Sequence, residues 1–447
     1  MTPETIYALS SGRGRAGIAV IRLSGPAARS AAGAVGADGL AARRARRVTL
    51  SDPASGEHLD ESVAVFFPEP ASFTGEDVVE LYVHGGPAVV GGVLEALARD
   101  DALRMAVPGE FTRRAFETGK LDLTRAEAVA DLIDAETAAQ RRQALRQGGG
   151  ALARLCDDWR ERLVAALAHW EAAIDFSDEE LPADLEAGTA AAVAELIAEL
   201  AGHLDDAHQG ERLRDGIHLA IIGPPNAGKS SLLNLLAKRD VAIVSETAGT
   251  TRDVLEVHLD LGGYPVIAAD TAGLRDSAEP IEMEGVRRAR ARAGDADLQL
   301  LLFDSADWPP RESDYREFLG PRAVVAVNKI DLKSPAPPAT LGGLDATPIS
   351  VRTGAGIEAL LAALEAKVAE GFDAAQAPVV TRARHRDALQ ACRQALERFA
   401  DRESRMVAPE IAAEDLRLAA QALGRVTGRV DVEDLLDVIF SEFCIGK

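Results

Sequence analysis

The chain reads as a three-part protein of the α/β and all-α classes. An N-terminal α/β domain is followed by a helical domain that is split along the sequence, with a doubly wound α/β domain inserted between its two parts. Three observations predict this. Short apolar runs alternate with helical stretches over residues 1–118. Apolar residues then recur at three- and four-residue spacing over 119–214 and again over 377–447. Between those zones, over 215–376, strand-like runs alternate with helices. A chain of 447 residues exceeds one compact core, and 47% hydrophobic with 27% charged residues is a globular balance.

In the first domain, residues 18–23 read as a strand, ended by Ser24-Gly25-Pro26 and followed by an Ala-rich helix. Residues 63–67 and 78–83 read as two more strands, the second running into His84-Gly85-Gly86-Pro87. Residues 13–47 hold eight arginines against one acid, Asp38. In the helical zone Leu152, Leu155, Trp159, Leu163 and Leu167 form an apolar stripe. Residues 177–211 carry ten acids and no Lys or Arg, which reads as a solvated helix face rather than a metal site. Residues 218–222 open the inserted domain, with further strands expected at 254–261, 266–269, 298–303, 324–328 and 347–350, forming a mainly parallel sheet. Residues 374–378 read as a linker back to amphipathic helix. The helical zones flanking the insertion are expected to pack together.

The net charge of −22 argues against indiscriminate polyanion binding. The start lacks a basic and apolar secretory pattern, and no apolar run is long enough to span a bilayer. Three widely spaced cysteines point to a reducing compartment, and the eight histidines show no metal-ligand spacing. The expectation is a cytoplasmic protein with no membrane association.

Gly223-Pro224-Pro225-Asn226-Ala227-Gly228-Lys229-Ser230, followed by Ser231, fits a phosphate-binding loop between a strand and a helix. Its glycines let backbone N–H groups face a polyphosphate at a helix N-terminus. Lys229 is expected at the β- and γ-phosphates and the Ser230 hydroxyl on Mg²⁺. About twenty residues on, Gly249-Thr250-Thr251-Arg252 supplies a loop in which a threonine, Thr251, closes over the metal. Asp270-Thr271-Ala272-Gly273 ends a strand, with Asp270 behind the metal and the Gly273 N–H at the γ-phosphate. Asn328-Lys329-Ile330-Asp331 ends a later strand, where the Asp331 carboxylate accepts two hydrogen bonds from a guanine edge. Adenine leaves such a site unpaired, a discrimination of ~10⁴ or more. Ser350-Val351-Arg352 supplies a loop under the base. Four ordered motifs make GTP the expected ligand. The residue after Gly273 is Leu274, which cannot orient the attacking water as glutamine does in small signalling GTPases.

These motifs, with Cys444-Ile445-Gly446-Lys447, Arg22-Leu23-Ser24-Gly25 and His84-Gly85-Gly86-Pro87, resemble the MnmE (TrmE) family of tRNA uridine-34 modification GTPases, within the TrmE-Era-EngA-like branch. The likeness covers the whole chain, and implies that the inserted domain is a Ras-like P-loop GTPase domain. It implies K⁺ beside the phosphates, held by Asn226 of the phosphate-binding loop and by Ser245, Thr247 and Thr250 of the following loop, Ser245-Glu246-Thr247-Ala248-Gly249-Thr250-Thr251. It implies dimerising G domains and a glutamate that acts on the water indirectly. Glu282 matches that position, with Glu279 and Glu284 close by; read without the family it is a solvated residue opening a helix. It further implies that the N-terminal domain binds 5-formyl-tetrahydrofolate and forms a homodimer. Arg22, Glu80, Lys120 and Lys447 match the folate site, and Cys444 is a nucleophile, a packing residue at a helix terminus or a lining residue of the folate site. The flavoprotein MnmG (in a heterotetramer) and tRNA are the implied partners, and modification at C5 of the wobble uridine the implied outcome.

The G motifs alone also fit an RNA-binding switch GTPase of the Era/Der kind, although no basic RNA-binding domain is recognisable here. The charge balance adds one expectation: the protein binds tRNA weakly by itself, and its partner supplies most of the grip.

Overall fold

The computed structural model describes residues 4–175, 184–206, 208–239, 241–243, 256–270, 294, 296–332, 340–371, 379–401, 409–430, 433–441 and 443–447. They fall into two units, Met1–Ala130 with Gly148–Val193 and Gln394–Lys447, and Asp131–Gln147 with Ala194–Arg393.

The first unit contains a six-stranded sheet of β1 (Thr5–Leu9), β2 (Ala16–Ser24), β3 (Arg46–Ser51), β4 (His58–Phe67), β5 (Val78–Gly85) and β6 (Leu103–Met105), in the order β3-β4-β5-β2-β1-β6. Neighbours are antiparallel except β1 and β6. Side chains alternate across the sheet, so Ile21 and Leu23 of β2, Val79, Leu81 and Val83 of β5, and Ala64 and Phe66 of β4 share one face. Helices Ala28–Ala34 and Pro87–Leu97 cover that face, contributing Ala28, Ala31, Val93 and Leu97 to the core. The opposite face of the same strands carries Arg22, Glu80 and Tyr82. There Phe111, on helix Glu110–Glu117, packs with Ile6 and Ala8 of β1.

In the same unit the stripe on helix Ala151–Asp175 is buried at Leu152, Trp159 and Leu163. The helix lies against Pro409–Thr427, with Arg417–Glu171 at 2.6 Å and Arg429–Asp157 at 2.9 Å along the seam. Two helical zones distant in sequence therefore pack together, as expected. Helix Glu433–Ser441 places Leu436, Ile439 and Phe440 against Leu123 and Ala126.

The second unit holds β7 (Ile217–Ile222), β8 (Glu256–Leu261), β9 (Tyr264–Asp270), β10 (Leu298–Asp304), β11 (Ala323–Asn328), β12 (Thr340–Leu341) and β13 (Leu344–Pro348), in the order β12-β13-β11-β10-β7-β9-β8. The five central strands are parallel, and β8 and β12 are antiparallel at the edges. Leu232, Leu233 and Leu236 of helix Lys229–Leu236 and Leu360 and Leu364 of helix Ile357–Gly371 bury one face. Trp308 and Phe318 bury the other, against Leu301, Phe303, Val325 and Val327. Coverage on both sides explains why β11 is buried along its whole length and reads as an unbroken apolar run. β7 lies between β9 and β10, so the order reverses beside it, and doubly wound sheets bind ligands outside the carboxyl ends of the strands at such a reversal.

The arginine-rich edge strand β3 and the short strands β1, β6 and β12 lay outside the sequence reading. Among the described residues no helix is long and apolar enough to cross a membrane.

Candidate functional site

The loop after β7 leaves the sheet at that reversal. Two glycines draw its backbone in: a Cβ on Gly223 would lie 2.0 Å from the Leu302 carbonyl oxygen, and one on Gly228 (φ +100°) 2.4 Å from Asn328 Nδ2. Asn226 also takes a positive φ of 63°, tolerated by asparagine better than by most residues. Lys229 is buried at the start of its helix, and its ammonium donates to the carbonyls of Gly223 (2.9 Å) and Pro224 (3.0 Å). Asn226, Ser230 and Ser231 are exposed around it, and Ala227 is buried.

The loop after β11 is tied to this one through Asn328. Its Nδ2 donates to the Ala227 carbonyl at 2.8 Å, while its Oδ1 accepts from the backbone N–H groups of Lys329 (2.8 Å) and Val351 (3.0 Å). The Lys329 ammonium pairs with Asp304 at 2.6 Å, and Ile330 N–H donates to the Ile349 carbonyl at 3.2 Å. Asp331 receives the Ser350 hydroxyl on Oδ1 and the Arg352 guanidinium on Oδ2, each at 2.5 Å. The Ser350 hydrogen bond, then the Arg352 charge, hold its carboxyl below the usual aspartate range against the opposing effect of burial. Residues 223–231, 328–331 and 350–352 thus gather at one end of the sheet. Asp270 ends β9 beside β7, and its side chain is outside the described residues. Ser245, Glu246, Thr247, Ala248, Gly249, Thr250, Thr251, Thr271, Ala272, Gly273, Leu274, Glu279, Glu282 and Glu284 also lie outside them, as does the segment 374–378.

A second group forms on the polar face of the N-terminal sheet. Arg22 and Glu80 stand directly opposite each other on β2 and β5, joined by Nε–Oε1 (3.0 Å) and a second guanidinium contact at 2.9 Å. Tyr82, two residues along β5, donates its hydroxyl to Glu80 Oε2 at 2.5 Å. Phe73 and Phe111 sit 5.5 and 5.6 Å from the Arg22 guanidinium. Lys447 joins them: burial, then the Arg22 charge, lower its ammonium pKa, opposed by Cys444 and Glu80. The segment 444–447 is held by a bridge of Ile445 to Pro108 and by Phe111 N–H donating to the Lys447 carbonyl at 3.2 Å. Gly446 (φ +96°) lets it pass β1, since a Cβ there would lie 2.1 Å from the Leu9 carbonyl oxygen. Cys444 is exposed at this place. Lys120 is exposed after helix Glu110–Glu117, and among the described contacts it does not join Arg22, Glu80 and Lys447.

Sequence reasoning missed Tyr82, Phe73 and Phe111. Tyr82 was open to it, because its period-two spacing from Glu80 puts both on one face. The aromatic pair was not, since only tertiary folding brings those rings to Arg22. Among the described residues no group of three or more His, Cys, Asp or Glu side chains is placed to hold a metal ion.

Residues 5–120 match the family described as GTP-binding protein TrmE N-terminus, and residues 123–444 match that described as MnmE helical domain. The chain is 57% identical over 445 residues to the tRNA modification GTPase MnmE of Parvibaculum lavamentivorans, covering 99% of this chain and 100% of that one. It is 49% identical over 467 residues to the mitochondrial 5-taurinomethyluridine-[tRNA] synthase subunit GTPB3 of Homo sapiens, covering 99% and 93%. Among solved structures it is similar to Aquifex aeolicus Era bound to GDP·AlF4⁻, at 28% identity over 40% of this chain and 66% of that one, with a TM-score of 0.27.

Proposed function

The chain belongs to the MnmE family, and from that premise we propose that it is a GTPase of tRNA modification, acting with a flavoprotein partner and a folate one-carbon unit at C5 of the wobble uridine. The observation that carries the GTPase reading is Asn328, whose one side chain hydrogen-bonds the phosphate loop and the base loop together at the carboxyl end of the sheet.

The loop suits a polyphosphate, because glycine at 223 and 228 is what lets the main chain close in. Lys229 binds the β- and γ-phosphates, Asp331 reads the guanine edge, and the Ser350-Val351-Arg352 loop lies under the base. Ser230 with Thr251 would hold Mg²⁺. Asn226, Ser245, Thr247 and Thr250 would hold K⁺, an oxygen-donor set of the kind hard cations take. When bound, these ions offset charge developing on the phosphoryl oxygens. The water oxygen attacks the γ-phosphorus in line, and the bond to the β–γ bridging oxygen breaks. Gly273 N–H faces the γ-phosphate and Glu282 positions the water through an intermediary. The cycle drives G domains of a homodimer together and apart.

The group around Arg22 suits a folate. Two cations, Arg22 and Lys447, match its carboxylates, the Glu80 carboxylate matches the pterin donor edge, and aromatic rings flank the guanidinium. Lys120 is assigned to the same ligand, and Cys444 adds a thiol. The proposed division is 1–118 for folate binding and dimerisation, 215–376 for the G domain, and 119–214 with 377–447 for the helical domain. MnmG, in a heterotetramer, and tRNA complete the assembly.

Isothermal titration with 5-formyl-tetrahydrofolate should show saturable binding that weakens at least tenfold in Arg22→Ala, and K⁺-stimulated GTP hydrolysis should be lost in Asn226→Ala. GTP hydrolysis without folate binding would overturn the folate assignment in favour of an RNA-binding switch.

A further inference from the structure

We propose that Arg352 is an internal competitor of the guanine base, pairing with the carboxylate that reads the base and so setting how readily nucleotide enters. The inference rests on the assignment of Asp331 as the guanine reader, and goes beyond it by giving Arg352 the opposite role from a binding residue.

The two donors on Asp331 differ in kind. Ser350 is wholly buried, and its hydroxyl reaches Oδ1 from inside the loop. That bond orients the carboxylate and leaves its outward lone pairs open. The Arg352 side chain is 71% exposed and reaches Oδ2 from the solvent side, at 2.5 Å. A guanine edge offers two N–H donors, one to each oxygen, and a guanidinium offers donors of the same type and planarity. Val351 N–H, fixed to Asn328 Oδ1 at 3.0 Å, anchors the backbone immediately before Arg352, so the guanidinium stays within reach. Nucleotide must then displace a cation tethered beside the site. The effect has a ceiling, because exposed ion pairs contribute only ~0.2–1 kcal/mol. Converted to a competent fraction, the apparent affinity is reduced by about two- to sixfold.

The test is stopped-flow fluorescence of methylanthraniloyl-GDP binding to the full chain. Arg352→Met keeps an apolar stem to pack on the base and removes the donors. It should raise the association rate by about two- to sixfold and lower the dissociation constant by the same factor, while Arg352→Lys stays near wild type. The gap should narrow as NaCl is added at fixed KCl, because the pair is screened. Equal or weaker binding by Arg352→Met would overturn the proposal. The parent assignment is read separately: if Asp331→Ala keeps the wild-type preference for GDP over ADP, Asp331 is not the base reader.

Discussion

Glu80 is held by two neighbours of different chemistry. Arg22 takes Oε1 across the strand pair, and Tyr82 takes Oε2 along the strand. The hydrogen bond to Glu80, then burial, push the Tyr82 phenol up to about 12, so it remains a donor throughout the physiological range. The cysteines separate just as clearly. Burial pushes the Cys392 thiol up to about 12, Cys156 is buried in the helix Ala151–Asp175, and Cys444 is exposed. A raised thiol pKa keeps the unreactive protonated form up to pH values well above 8. Titration of the native protein with a thiol reagent at pH 8 should therefore modify one cysteine, Cys444, and titration in denaturant should modify three. Rapid modification of two or three in the native protein would contradict this burial.

At the scale of elements, the nucleotide site depends on loops whose backbone is fixed by side chains from other loops. Asn328→Ala would strand the Ala227 carbonyl and the Val351 N–H, and a buried group left without its partner costs about 1–3 kcal/mol. We expect GTP affinity to fall at least tenfold in this variant, measured by equilibrium fluorescence, with a cooperative melting transition retained. Unchanged affinity would show that the two loops hold their places independently. The sequence groups residues 223–231, 328–331 and 350–352 as parts of one site, and they do gather at one end of the sheet, because each motif is local and sits at a strand end. The Arg22–Glu80 pair was not legible from the residues alone. Its members lie on different strands, and only the register of β2 against β5 makes them neighbours. β3 and β6 escaped for another reason: a short strand with an arginine-rich start, and one of three residues, carry too little period-two signal.

Across the whole molecule, the charge of −22 is countered locally by the arginines of residues 13–47, but the fold does not gather them into one patch. The pairings β2–β5, β5–β4 and β4–β3 are all antiparallel, so β2 and β3 run in opposite directions with two strands between them. Arg13 and Arg15 precede β2, whereas Arg43 and Arg44 precede β3 and Arg46 and Arg47 open it, three positions away in the sheet. Several also serve their own domain: Arg22 binds Glu80, Arg43 the Ala71 carbonyl, Arg46 the Asp38 and Gly39 carbonyls, and Arg47 Glu61. Filter binding of tRNA to the protein alone, at physiological salt, should accordingly show a dissociation constant no tighter than micromolar, rising steeply with salt. Nanomolar binding would mean that a basic surface outside this sheet does the work. The threading of residues 444–447 past β1 also bears on how the chain is made. The strands carrying Arg22 and Glu80 are translated early, whereas Lys447 lies far downstream of both in the sequence. At ~5–20 residues per second the sheet waits on the order of tens of seconds for that segment. A nascent chain can thus form its first sheet before Lys447 is available to stand beside Arg22 and Glu80.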